Sequence, residues 1–451
     1  MAAGEDASAL AAAAQPARPA DRTILRGIVW GSLFVLAAKF AGAGKEMVVA
    51  WRFGVGSEID AYLFVFNWAT WPLAVWFAAV SAVVVPLFAQ LRAERPATEL
   101  LQMKRELFGG SLLLGLLLGG GVAMLLHELV SLPQLGLPAE TAALASTIAT
   151  PMAGLALLGV PICLLSAWMI ADQRYANTLF EGIPALAIAL LLSTAAVAGL
   201  GGLVLATLVG FGLHLIALLV ALGTQRSLAL PRLSLRSPHW AGLYRGIGIA
   251  LAANALLAAV VLIDQWFAAG LPAGSVATLG YANRVLALVI GIGVTAVARA
   301  TLPVFSATRF EPGNALWRVA CRWAALLLLA GIGAASIGWW AAEGIVGLLY
   351  ERGAFGGQDT QAVAHVLRHG LLQLPFYFGA VVLQTMFSAQ AWYGALLLAS
   401  AAGMAVKLIA SAWLIDSHGL IGLQWSTAAM FAAQGLVLFI IGRTHARSMA
   451  T

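Results

Sequence analysis

Long apolar runs recur from residue 25 to residue 442, separated by short polar stretches. A helix needs about 20 apolar residues to cross a bilayer. The runs predict twelve such helices, at 25–53, 61–91, 107–126, 141–170, 177–198, 201–222, 243–269, 276–305, 316–349, 363–389, 392–415 and 420–441. Several exceed the crossing length, which predicts tilt or extension beyond the bilayer. Lipid offers backbone groups no water, so the spans are helices rather than open sheet. The composition agrees: 61% of residues are hydrophobic and 10% charged, with a mean hydropathy of +0.92. The fold class expected is an all-α polytopic membrane protein.

Charge assigns the sides. Of the 25 basic residues, 17 fall in alternate loops and tails: Arg18, Arg22 and Arg26; Arg92, Arg95, Lys104 and Arg105; Arg174; Arg226, Arg232, Arg236 and Arg245; Arg309, Arg318 and Arg322; Arg443 and Arg447. The opposite loops are nearly free of them, with Arg52, Arg352 and Arg368 as exceptions. The positive-inside rule then puts both termini in the cytoplasm. The net charge of +6 reflects this orientation and not nucleic-acid binding. Residues 1–24 read as a disordered cytoplasmic tail, lacking the basic-then-apolar order of a signal peptide. The longest interior loop, 223–242, divides the spans into six-helix bundles at 25–222 and 243–442, with a tail at 443–451. An echo supports the division: Val85-Pro86-Leu87-Phe88 closes the second span and Leu302-Pro303-Val304-Phe305 the eighth. Six spans per half make a parallel repeat, with a cleft between the bundles.

The first span carries Lys39, Lys45 and Glu46 around Gly42 and Gly44. Positions 39, 42 and 46 share a helical face, with 45 beside it. Charges at membrane depth are costly and mark cavities or partners. One wall of a cationic cavity is preferred to a kinked helix with snorkelling lysines. Asp264, Arg284, Arg299, Glu343 and Lys407 are the other intramembrane charges. Arg284 reads equally as an anion ligand, its planar fork suiting phosphate, or as a salt-bridge partner of Asp264. Arg299 reads as a helix-end residue. Lys407 reads as snorkelling or locally paired, away from the cleft. Asp60 reads as the cap of the second span. The Trp68, Trp71 and Trp76 cluster reads as an interface anchor or a sugar platform.

Walker, HExxH and Gly-x-Ser-x-Gly patterns are missing, and Cys163 and Cys321 form no metal or disulfide pattern. No cofactor or metal is expected, and an enzyme is disfavoured. A polyprenyl-dependent glycosyltransferase would place an acid such as Glu58 or Asp60 in its first exterior loop, but the exterior loops here are short.

Three stretches resemble the MurJ/MviN lipid II flippase family of the MOP superfamily, which also holds the MATE multidrug exporters. These are Lys39-x-x-Gly42-x-x-Lys45-Glu46 with Phe53-Gly54-Val55-Gly56 and Asp60-Ala61-Tyr62; Gly274-Ser275-Val276 through Tyr281-Ala282-Asn283-Arg284; and Leu349-Tyr350-Glu351-Arg352-Gly353-Ala354-Phe355 with Asp359-Thr360. The resemblance runs from about residue 25 to about residue 390. It implies a MATE-like arrangement of two bundles. The implied activity is flipping of an undecaprenyl-pyrophosphate-linked saccharide across the bacterial inner membrane. Lys39, Lys45 and Arg284 match the family's pyrophosphate-binding positions, with Glu46, Asp264 and Asp60 in support. Two family arginines are lysines here, and the family's second-helix basic residues are missing between Phe66 and Pro86. The family has fourteen helices, the last two forming a groove for the lipid tail, and twelve are expected here. Lipid II and another lipid-linked saccharide are both open as cargo.

The mechanism expected is alternating access, with no energy source, membrane potential or cation gradient, assigned by the sequence. The partners expected are the lipid-linked saccharide, membrane lipids and envelope-biosynthesis proteins. Loop 351–360 reads equally as a hinge or an ordinary connection. The rivals are a cation-coupled multidrug exporter, disfavoured by the basic excess, and a non-transporting envelope partner, disfavoured by the retained charges.

Overall fold

The structure, a computed structural model, describes residues 19–448 apart from 175, 195–196, 225–227, 308–314 and 391. Side chains are described from residue 33 onward, with further gaps that include 294–315. Arg18, Arg226 and Arg309, and the side chains of Arg22, Arg26, Arg299 and Arg447, lie outside this set.

The described residues form helices α1 (Pro19–Phe53), α2 (Ser57–Glu94), α3 (Ala97–Ser131), α4 (Ala139–Ala171), α5 (Ala176–Phe180), α6 (Ile183–Ser193), α7 (Gly199–Thr224), α8 (Trp240–Ala269), α9 (Ser275–Ala307), α10 (Ala315–Tyr350), α11 (Gly357–Leu371), α12 (Leu374–Ala389) and α13 (Tyr393–Ser448). Seven helices are long and apolar enough to cross a membrane, or eight when α11 and α12, bent by 43°, count as one span. The predicted fifth span is broken into α5 and α6 around Glu181 and Gly182.

The predicted eleventh and twelfth spans fall together on α13, which non-helical Gly419 (φ 53°, ψ −132°) divides. An unbroken helix of this length would reach roughly 80 Å, far beyond one bilayer. Contacts across the break show a hairpin: Ser411 Oγ donates to Ser426 Oγ at 2.9 Å, and Lys407 Nζ donates to the Leu423 carbonyl at 3.2 Å. Glycine suits this turn because a Cβ disfavours its backbone conformation.

Large apolar side chains such as Phe40, Met124, Trp340 and Trp413 are mostly exposed. Outward apolar surface of this kind is what lipid contact requires. Inside, α4 is the most enclosed span, with 78% of its apolar window buried. It packs on α2, α3 and α7, and α2 also meets α8 and α9, across the 223–242 segment. That segment is tied down by Glu106 of α3. Its carboxylate accepts from Ser234 Oγ (2.7 Å), the Ser237 amide (3.1 Å) and Trp240 Nε1 (2.7 Å). Trp68 and Trp76 pack against the core, Trp68 tilted on Phe64 at 6.0 Å. Both are partly buried and lie within α2 rather than at its end.

A candidate cationic crevice

The α1 helix presents Lys45 and Glu46 towards α9. Glu46 is buried and holds two cations, Lys45 Nζ at 2.6 Å and Arg284 Nη1 at 2.9 Å. The Arg284 guanidinium lies 5.7 Å from the Tyr281 ring, and Lys45 Nζ lies 5.8 Å from the Phe66 ring. These aromatic faces add cation–π attraction where hydration is reduced. Lys39 sits six residues back along α1, about 9 Å along its axis, and is exposed. It lines a cavity of about 570 Å³ with Asp264, Asn283, Gln373, Tyr377 and Gln424. Arg284 lines an adjoining space of about 200 Å³ with Asn67 and Gln265. Both share Val261, Asp264, Asn283 and Ala287. They are two lobes of one crevice, with Lys39 and Arg284 on its walls. Lys45 joins them through Glu46.

Three expectations are corrected. Asp264 does not pair with Arg284; its carboxylate binds Lys407 Nζ. The α13 hairpin packs on α8 and brings the ammonium there, while Glu46 takes Arg284. Lys407 therefore neither snorkels nor pairs locally. It is fully buried, and also donates to Ser426 Oγ (3.2 Å) and Thr427 Oγ1 (2.6 Å). Asp264 and Thr427 face the crevice, so Lys407 stands one residue behind its wall. Its placement in mid-span was the only signal in sequence, since Ser426 and Thr427 come near it only when α13 folds back.

Asp60 does not cap its own helix, whose N-terminal residue Gly56 has no side-chain cap. Its oxygens accept from the Gly274 and Ala277 amides, both at 2.6 Å, at the start of α9. A carboxylate there meets unsatisfied amides and the positive end of the helix dipole. Near it, the Ala354 amide donates to the Trp51 carbonyl at 2.8 Å, and Tyr281 Oη donates to the Gly54 carbonyl at 3.3 Å. Tyr281, Tyr350 and Phe355 cluster beside these bonds, with ring centroids 5.0–5.7 Å apart. Loop 351–355 is thus a docking surface for the end of α1, joining the two halves of the sequence at that end. Gly54 (φ 57°) abuts the Ala354 backbone so closely that a Cβ would collide with it.

A helical membrane protein with a charged crevice walled by segments from both halves of its sequence has the form of a carrier. A sequence profile described as "Lipid II flippase MurJ" matches residues 49–449. The chain belongs to the MurJ lipid II flippase family. A probable lipid II flippase MurJ from Bdellovibrio bacteriovorus is 30% identical over 155 residues. The aligned part is 34% of this chain and 30% of that relative. The fold is similar to that of a lipid II flippase MurJ in an inward closed conformation, with a TM-score of 0.80 at 18% identity over 92% of this chain and 87% of the other. It is also similar to an inward-facing MATE-family multidrug transporter of the MOP superfamily, with a TM-score of 0.69 at 17% identity over 93% and 95% of the two chains.

Proposed function

We propose that this chain flips an undecaprenyl-pyrophosphate-linked saccharide, lipid II or a related envelope precursor, across the bacterial inner membrane by alternating access. The observation that carries the reading is the charge of the crevice. Among the described residues, Lys39, Lys45, Arg284 and Lys407 lie at or just behind its walls, with Glu46 and Asp264 as the acids beside them, leaving two positive charges. A pyrophosphate esterified at both ends carries two negative ones. Opposite charges in a partly desolvated cleft attract far more strongly than in water. The arginine supplies a fork that matches phosphate oxygens. Family membership supports the same cargo. The basic excess disfavours cationic drugs.

In this mechanism both termini are cytoplasmic, and the Asp60 and Trp51–Ala354 seal closes the exterior. The pyrophosphate enters from the inner leaflet, displaces Glu46 from Arg284 and Lys45, and bonds to both and to Lys39. The lipid tail stays in the bilayer. Rocking of the residue 25–222 bundle against the 243–442 bundle then breaks the seal and releases the head group outside. The test is complementation of a flippase-deficient strain. Arg284→Ala is expected to abolish growth with protein levels unchanged, and normal growth would refute the site.

A further inference from the structure

The larger lobe of the crevice has an uneven wall chemistry. Lys39 is its cation, close to Gly291 of α9, and the rest of the lining carries side-chain amides. Gln424 Nε2 donates to Asn283 Oδ1 at 2.8 Å. This leaves the Asn283 N–H groups and the Gln424 carbonyl oxygen to offer donors and an acceptor side by side. Gln373, buried, donates to the Gly370 carbonyl at 2.8 Å and also lines the lobe. Beside them the Tyr377 and Phe431 rings meet edge to face at 4.7 Å, and both border the same space. The three amides come from different parts of the C-terminal half: α9, the α11–α12 bend and the second arm of the α13 hairpin. Apolar spans gain nothing from amides facing hydrocarbon.

Neutral amides beside aromatic faces suit hydroxyl and acetamido groups better than a bare phosphate. We infer that this wall is a saccharide subsite, in which Asn283, Gln373 and Gln424 read the sugar nearest the pyrophosphate and Tyr377 packs against its ring. The inference rests on the anionic-carrier reading above. The C-terminal half then reads the sugar, while the anion is held across both halves.

The experiment uses purified full-length protein in nanodiscs and two probes, undecaprenyl pyrophosphate and the same lipid bearing one N-acetylhexosamine. Wild type is expected to bind the saccharide-bearing lipid more tightly. Asn283→Ala and, separately, Gln424→Ala are expected to weaken that lipid by roughly tenfold, the worth of one or two lost hydrogen bonds. Affinity for the bare pyrophosphate should stay within about twofold. Tyr377→Ala should behave likewise, and thermal melting identifies any variant that misfolds. Equal wild-type affinity for both probes overturns the subsite alone, as does an equal loss, or no loss, for both probes in folded variants. Wild type binding neither probe overturns the anionic-carrier reading and the subsite with it.

Discussion

At the scale of single residues, the crevice depends on pairs that the fold chose between. Glu46 could serve Lys45 alone, its chain neighbour, yet it also holds Arg284 from across the molecule. Asp264 lies 20 positions from Arg284 in sequence and still binds Lys407. That charges sit at depth was legible, because burying them is costly wherever they occur. Which charge meets which was not, because pairing depends on how α13 folds back. The Lys407–Asp264 pair yields a prediction. Removing one partner of a buried ion pair leaves an uncompensated charge, on the order of 3–5 kcal/mol. Lys407→Met or Asp264→Asn should therefore each lower the melting temperature in detergent. The double variant should fall less than the sum of the two, and strict additivity would show that the pair is not coupled.

At the scale of elements, hydropathy located the helices well, because each span must cover a fixed thickness of hydrocarbon. It parted the last two spans at residues 416–419, where Gly419 turns the chain, but it could not reveal the break at Gly182, which leaves apolar content unchanged. Asp60 was misassigned for a similar reason. An acid at a helix start has a local partner to hand, and the amides it meets at Gly274 and Ala277 carry no side-chain signal. Its role makes a second prediction. In an Asp60→Ala, Cys321→Ser background, a cysteine introduced as Ala277→Cys, at a buried position, should react with a membrane-impermeant maleimide several-fold faster than with Asp60 intact. Unchanged labelling would mean that the carboxylate is not part of the seal.

At the scale of the whole molecule, alternating access requires the sealed end to open in each cycle. The Ala354 amide and the Trp51 carbonyl are 2.8 Å apart, which brings their backbones within disulfide range. A Trp51→Cys, Ala354→Cys protein should lose flipping on oxidation and regain it with reductant, measured as exposure of labelled lipid-linked saccharide in the outer leaflet. Flipping that persists in the oxidised protein would exclude this end as the moving gate. Lys39 and Arg284, singled out in sequence as intramembrane charges, lie on adjoining lobes, while Lys45 lines neither and reaches them only through Glu46. The amide wall did not stand out in sequence, because asparagine and glutamine inside spans raise little alarm beside arginine and lysine.

Glu46 carries one last consequence. On the proposed reading, its single charge holds Lys45 and Arg284 together and offsets one of the two. Cargo, on that reading, must offer more than this resident acid already supplies, so weakly charged anions bind poorly.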